Sequence, residues 1–188
     1  MLVVACMAGF FQAAYTQSIY KINDSKDNDI KLSGTSTLHD WTMNAQIFTC
    51  EAEFNVKGNN LKAINSLILS VPVENLKSKE KPMDHNAYKA LKSDEYKYIV
   101  FKLISATIGS KQTNKYPVKA VGNLSLAGVT KEITISIACL INNDQTITCS
   151  GSEKIKMTDY QIKPPSFLLG AMETGDEIVL DFNLIFKK

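Results

Sequence analysis

Apolar and polar residues alternate along most of this chain. Ile133, Ile135 and Ile137 are separated by Thr134 and Ser136. Near the C-terminus, Ile178, Leu180, Phe182, Leu184 and Phe186 alternate with Val179, Asp181, Asn183 and Ile185. Leu67, Leu69 and Val71 alternate with Ser66, Ile68 and Ser70. A period of two sends successive side chains to opposite faces of a strand, so each run predicts one dry face and one wetter face. Comparable runs cover roughly 18–24, 30–38, 42–56, 98–108 and 116–126. Turn-forming residues separate them: Lys57-Gly58-Asn59-Asn60, Gly109 to Asn114, Ala127-Gly128, Asn142 to Gln145 and Thr174-Gly175-Asp176. The pattern predicts about eight or nine strands in succession.

One segment has another period. Met83, Ala87, Ala90 and Leu91 fall at i, i+4, i+7 and i+8, with Lys89 and Lys92 elsewhere on the wheel. That spacing predicts a short amphipathic helix ending near Ser93-Asp94, with Pro82 suited to its first turn. A second irregular stretch, Lys163 to Gly170, holds Pro164 and Pro165, which exclude a central strand. Successive strands with short turns pair antiparallel. A sheet of about eight such strands is best closed, because closure removes its aggregation-prone edges. The fold class expected is therefore all-β: an eight-stranded antiparallel barrel, with a short helix between strands, wide enough for packed side chains or one small ligand.

The chain of 188 residues suits one domain. Its formal net charge of +2 and its scattered lysines (Lys77, Lys79 and Lys81 alternate with other residues) call for no nucleic acid partner. Met1 to Phe11 are all apolar or Gly, and no charge precedes Lys21. This run is too short to span a bilayer but fits the apolar part of a secretory signal. Ala14-Tyr15-Thr16 provides a small-x-small cleavage site before Gln17. The expected division is a signal peptide over 1–16 and a barrel domain over 17–188, exported to the periplasm or secreted. A competing reading takes Val3-Val4-Ala5-Cys6 as a lipobox with Cys6 lipidated. Cys139 and Cys149 flank the Asn142–Gln145 turn and face each other across a hairpin, a register that permits a disulfide in an oxidising compartment. Cys50 is left over and reads as a small buried hydrophobe.

Residues that bear chemistry are sparse. His39 and His85 have no further ligand at metal spacing, so no metal site is expected. Ser36, His39 and Asp40 lie close in sequence, but on a strand Ser36 and Asp40 point to one face and His39 to the other. No G-x-S-x-G elbow is present. Glu51 and Glu53 alternate on an expected solvent face. The survey points to a binding protein rather than an enzyme, with no cofactor. Trp41 is expected to pack at the barrel mouth.

Several pieces, in order, resemble the YceI-like, lipocalin-like polyisoprenoid-binding proteins of bacteria. They are Leu32-Ser33-Gly34-Thr35-Ser36-Thr37-Leu38-His39-Asp40-Trp41; Met83 with Leu91-Lys92-Ser93 and Ile99-Val100-Phe101; Gly122-Asn123-Leu124-Ser125-Leu126-Ala127-Gly128-Val129-Thr130-Lys131; and Lys156-Met157-Thr158-Asp159-Tyr160 with Pro164-Pro165-Ser166, then Gly175-Asp176-Glu177-Ile178. The resemblance covers about residues 18–188. The chain departs from it at Lys97 or Tyr98, where the family usually has Pro. The resemblance implies an extended lipocalin-like barrel with an apolar tunnel holding a long-chain isoprenoid or other amphiphilic lipid, with only transient membrane contact. The lining is assigned to Trp41, Leu91, Phe101, Leu103, Leu124, Leu126, Ile133, Ile135, Phe167, Phe182 and Leu184. The helix at Met83–Lys92 and the loop Pro164–Gly170 are expected to gate it, through Met83, Tyr88, Leu91, Phe167, Leu168 and Met172. An open tunnel and a filled core both need apolar inward residues, so a second reading stands: a structural or stress-response envelope protein with a filled barrel and no ligand. A third is an envelope hydrolase or isomerase using His39 and Asp40. Monomer and homodimer are both left open.

Overall fold

The computed structural model describes residues 18–23, 25–167 and 172–188, with only the backbone of Phe167 and Met172. The expected leader, with Cys6 and the cut before Gln17, lies outside the described residues. Among these there are twelve strands and one α-helix. The strands are β1 (Ser18–Ile22), β2 (Asp29–Ser36), β3 (Trp41–Ala45), β4 (Thr49–Lys57), β5 (Asn60–Pro72), β6 (Leu76–Lys77), β7 (Tyr98–Ile108), β8 (Lys115–Leu126), β9 (Val129–Ile141), β10 (Ile147–Lys156), β11 (Ser166–Phe167) and β12 (Met172–Lys187). The helix, α1, is Lys81–Ala90.

The hydrogen-bonded path β1-β4-β5-β7-β8-β9-β10-β12 returns to β1, which closes an antiparallel barrel of eight strands. The higher strand count comes from breaks within three of these positions and from the two-residue β11, which pairs with β12 off this path. β12 pairs with β1 through Phe186 and Lys187 and with β2 from Thr174 to Asn183, so β1 and β2 lie in line. β3 and β4 follow one another in the same way, as do β5 and β6.

Two sequence expectations need correction. The run 42–56 is not one strand. Met43 and Ala45 are buried in β3, but Cys50, Ala52 and Phe54 are buried in β4, so the inward set changes from odd to even positions. A continuous strand keeps one parity, so the chain must break. It does so over residues 46–48, just after the Gln46 N–H extends the β3–β6 register by donating to Asn75 O (2.8 Å). Thr174-Gly175-Asp176 is not a turn between strands either. It forms a bulge inside β12, where Thr174 opposes Ser36 while Ile178 opposes Gly34. Gly and Asp suit a bulge for the reasons they suit a turn. Asp176 also accepts bonds from the Thr158 N–H (2.8 Å) and Oγ1 (2.6 Å). These bonds hold its carboxyl below the ordinary value and tie the bulge to the 3-10 turn Met157–Tyr160.

Further register shifts interrupt the alternation in the β4–β5 ladder (Glu53/Phe54 and Asn55/Val56) and the β7–β8 ladder (Leu103/Ser105); otherwise it holds. β8 shows it most cleanly, burying Tyr116, Val118, Ala120, Leu124 and Leu126. Ala127 and Gly128, both at positive φ (47° and 85°), close the β8–β9 hairpin, the backbone that a two-residue turn of this hand requires. Cys139 and Cys149 are directly opposed in the β9–β10 ladder, with Cα atoms 4.3 Å apart, and form a disulfide. Cys50 is a free, buried thiol, which burial, and then the charge of Glu51, push up to about 12. At the barrel end away from α1, Phe54 stacks edge-on against Tyr20 and Phe186 (centroids 5.3 and 5.2 Å apart) and closes the lumen.

Candidate functional site: an apolar cavity under the helix

The opposite end of the barrel is open. An outer cavity of about 310 Å³ lies beneath α1, and an inner one of about 100 Å³ continues down the lumen. They share Leu32, Leu76, Ile99, Leu126, Ile155 and Ile178. These come from β2, β6, β7, β8, β10 and β12, so they form a collar at one level of the barrel. Every residue of the inner cavity is aliphatic, Phe or Cys, and Phe186 contributes to its floor. Counting residues along β12 from Glu173 to Phe186 gives a depth of roughly 30 Å after allowance for strand tilt.

The expected lining residues distribute between the two spaces. Trp41 and Leu91 line the outer cavity. Leu126 lines both. Phe101, Leu103, Leu124, Ile133, Ile135, Phe182 and Leu184 line the inner cavity. The Phe167 side chain, Leu168 and Gly170 fall outside the described residues, although the Phe167 backbone pairs with Met172. The sequence reading missed Leu38, Met43, Ile155 and Met157 in the outer wall. Ile155 sits among Glu153, Lys154 and Lys156, where alternation alone carries little signal.

Phe101 and Phe182, two of the three phenylalanines that line the lumen, lie over glycines, which leaves space along the barrel. The Phe101 ring occupies the place of a Cβ on Gly122, and the Phe182 ring that of a Cβ on Gly151. Trp41 covers Gly34 in the same way, and its indole N–H donates to Thr35 O (3.1 Å). Each ring thereby packs onto a bare stretch of wall instead of crossing the barrel axis, as aromatic residues do when they cover a strand glycine.

Helix α1 is held as a lid over the outer cavity. Met83, Ala87, Ala90 and Leu91, its predicted apolar face, all line the space. Asp84 is buried and accepts bonds from the Ser78 N–H (2.6 Å) and Oγ (2.7 Å), which fix the approach to the helix. Tyr88 does not join the lining, contrary to expectation. Its hydroxyl accepts from Lys77 Nζ (2.7 Å) and lies within bonding distance of Leu76 O (2.8 Å) and Glu74 O (2.9 Å), because a phenol at that helical position meets β6 and the turn before it. The helix is thus pinned to β6 through polar bonds on one side and lies on the cavity through apolar contacts on the other.

Ser36, His39 and Asp40 form no catalytic constellation. Ser36 Oγ donates to His39 O (2.7 Å) and accepts from the N–H groups of Leu38 (3.3 Å) and His39 (3.2 Å). His39 Nδ1 meets Asp40 O, the backbone carbonyl, at 2.8 Å. These bonds build the turn that carries Trp41 to the mouth. Tyr160 is fully buried in the wall near the lid, and its hydroxyl has no hydrogen-bond partner among the described residues. Burial, with the nearby Asp159 charge, pushes it up to about 12.

Known proteins share this architecture. A solved structure of Burkholderia cenocepacia BcnA superposes with a TM-score of 0.67 at 16% identity, covering 84% of this chain and 95% of that one. A polyisoprenoid binding domain from Saccharophagus degradans, implicated in plant cell wall breakdown, gives a TM-score of 0.65 at 11% identity, covering 91% and 98%. The Campylobacter jejuni YceI protein gives 0.60 at 18% identity, covering 78% and 84%. At these identities the likeness is one of fold. No curated protein sequence matches the chain. The YceI-like domain matches residues 20–186, nearly the whole barrel, and the chain therefore belongs to the YceI-like family.

Proposed function

We propose that this protein binds a long-chain isoprenoid or similar amphiphilic lipid in the barrel and carries or sequesters it in the periplasm or outside the cell. The observation that carries the reading is the blind, wholly apolar lumen that opens under α1 and is closed at its far end by Tyr20, Phe54 and Phe186. Water gains little there, since a dry apolar cavity offers it no partners. A thin apolar tail gains burial on all sides. A tail of about 30 heavy atoms at about −0.3 kcal/mol per atom would bind with about −9 kcal/mol, near sub-micromolar. The polyisoprenoid binding domain with the same fold supports the tail chemistry. The apolar run Met1–Phe11 and the Ala14-Tyr15-Thr16 cut support export. α1 and the segment carrying Pro165 form the entrance, since irregular segments open with fewer ladder bonds broken.

The test is solvent extraction of the protein purified from its native host, followed by mass spectrometry. A long-chain amphiphile at near one equivalent is expected. A protein that carries none, and takes up none when offered isoprenoids of several lengths, refutes the reading in favour of the filled barrel.

A further inference from the structure

We infer that the outer face of the β7–β8 hairpin docks on an anionic lipid surface. The inference concerns the outside of the barrel and does not depend on a ligand within it. Its first basis is where the charges fall. Six of the 21 Lys and Arg residues lie between positions 96 and 131, and none of the 19 Asp and Glu residues does. The small net charge of the chain therefore hides a one-sided distribution. Lys102 on β7, Lys111 in the connection, and Lys115 and Lys119 on β8 are all exposed. Lys102, Lys115 and Lys119 join no ion pair among the described residues. Lysines often guard a sheet edge, but β7 is paired on both sides, with β5 and β8, and β8 with β7 and β9. Like charges on one wall repel each other, and an anionic partner relieves that repulsion.

The second basis is a set of exposed apolar side chains among these lysines. Ile68 is directly opposite Lys102 in the β5–β7 ladder, so the two project from the same face. Ile104 projects where the register shifts between Leu103 and Ser105, and Tyr98 begins β7. Each of the three is about half exposed. The face runs the length of β7, roughly 35 Å. Acids bound it on both flanks: Glu51 and Glu53 on β4, and Glu132, which pairs with Asn123.

The two features together select the partner. Lysines are drawn to the anionic headgroup layer, and Ile68 and Ile104 supply apolar contact just below it. Tyr98 suits the level of the headgroups. A polyanion such as an acidic glycan would use the lysines and leave the isoleucines in water. The same wall also reaches the mouth of the barrel, because Ile99, next to Tyr98, lines the outer cavity from within. Docking by this wall brings the rim of that cavity to the lipid.

The test is flotation of the purified protein with vesicles of phosphatidylcholine alone or mixed with phosphatidylglycerol, at about 0.1 M salt. Binding to the mixed vesicles is expected to be at least about tenfold tighter. Lys102→Gln/Lys119→Gln is expected to weaken it by at least about tenfold, since each lysine near such a surface supplies about fivefold. Ile104→Ser is expected to weaken it by about three- to tenfold. The control, Lys31→Gln/Lys187→Gln, removes lysines of β2 and β12 on the far side of the barrel and is expected to change it less than about twofold. Equal binding by the Lys102/Lys119 variant and the parent overturns the inference. Unchanged vesicle binding by Ile104→Ser, with heparin displacing the protein, overturns the lipid partner in favour of a polyanion. Binding to neither vesicle overturns the inference as well, while lipid extracted from the barrel still decides the reading of the cavity.

Discussion

The packing of an indole onto a bare strand makes a quantitative claim at Gly34. An ideal Cβ there would lie 2.7 Å from Trp41 Cε2 and 3.1 Å from Nε1, and the nearest atoms all belong to that one side chain. The φ of Gly34 is not in the left-handed region, so the backbone accepts alanine and the whole penalty falls on the indole. Gly34→Ala forces Trp41 off the wall. Overpacking of this kind costs about 1–3 kcal/mol. Loss of the bond to Thr35 O accounts for about 1 kcal/mol of that. Replacing a strand glycine returns about 0.5–1 kcal/mol. The net expectation is a loss of about 1–2 kcal/mol, or roughly 2–8 °C in Tm for a domain of this size. Urea unfolding followed by tryptophan emission measures it, and acrylamide quenching of the native protein reports the displaced ring. Gly58→Ala is the control. Gly58 has φ +57° and nothing within 4 Å of a Cβ, so alanine there strains the backbone but leaves Trp41 untouched. If Gly34→Ala matches the parent in stability with emission unchanged, the indole does not pack on Gly34, and the account of the open lumen fails at its mouth.

Three further outcomes are expected. Tyr160→Phe removes a buried hydroxyl that has no partner among the described residues, so it should hold or raise stability by up to about 1–2 kcal/mol in denaturant titration. A loss beyond about 0.5 kcal/mol would show that the hydroxyl has a partner in solution. Cys139→Ser/Cys149→Ser opens a loop with a sequence separation of 10 residues and should cost about 2–3 kcal/mol; the parent measured in reductant should lose the same amount, and a parent indifferent to reductant would show that the bridge is not formed. Leu91→Asp places a carboxylate in the cavity wall and should lower co-purified lipid severalfold in a protein that keeps its β-sheet circular dichroism; unchanged lipid would locate the entrance elsewhere.

Much of the barrel was legible in the sequence because strand facing is a local property. Alternation along β7, β8, β9 and β12 names inward residues without knowledge of their neighbours, and those residues line the lumen. The helix spacing of Met83, Ala87, Ala90 and Leu91 named the face that meets the cavity. The Cys139–Cys149 register also depends only on a short hairpin. The parity change between Met43 and Cys50 was present in the sequence as well, in the failure of one alternation to run through 42–56.

Other features depend on which residues lie opposite one another, and that is set by pairing between distant segments. β12 closes the barrel by pairing with both β1 and β2, so a stretch rich in Gly and Asp becomes a bulge rather than a turn. Tyr88 turns away from the cavity because Lys77 Nζ and the carbonyls of Glu74 and Leu76 meet its hydroxyl on the other side. Glu80 at the start of α1 and Glu173 on β12 come to line one cavity only once the barrel is closed. An apolar inward side chain fills a lumen or lines one according to what it faces. Phe182 lies over Gly151, and Phe101 over Gly122, because the strands are in that register. Local periodicity determined the direction of each side chain; only the long-range register decided how much space remained between them.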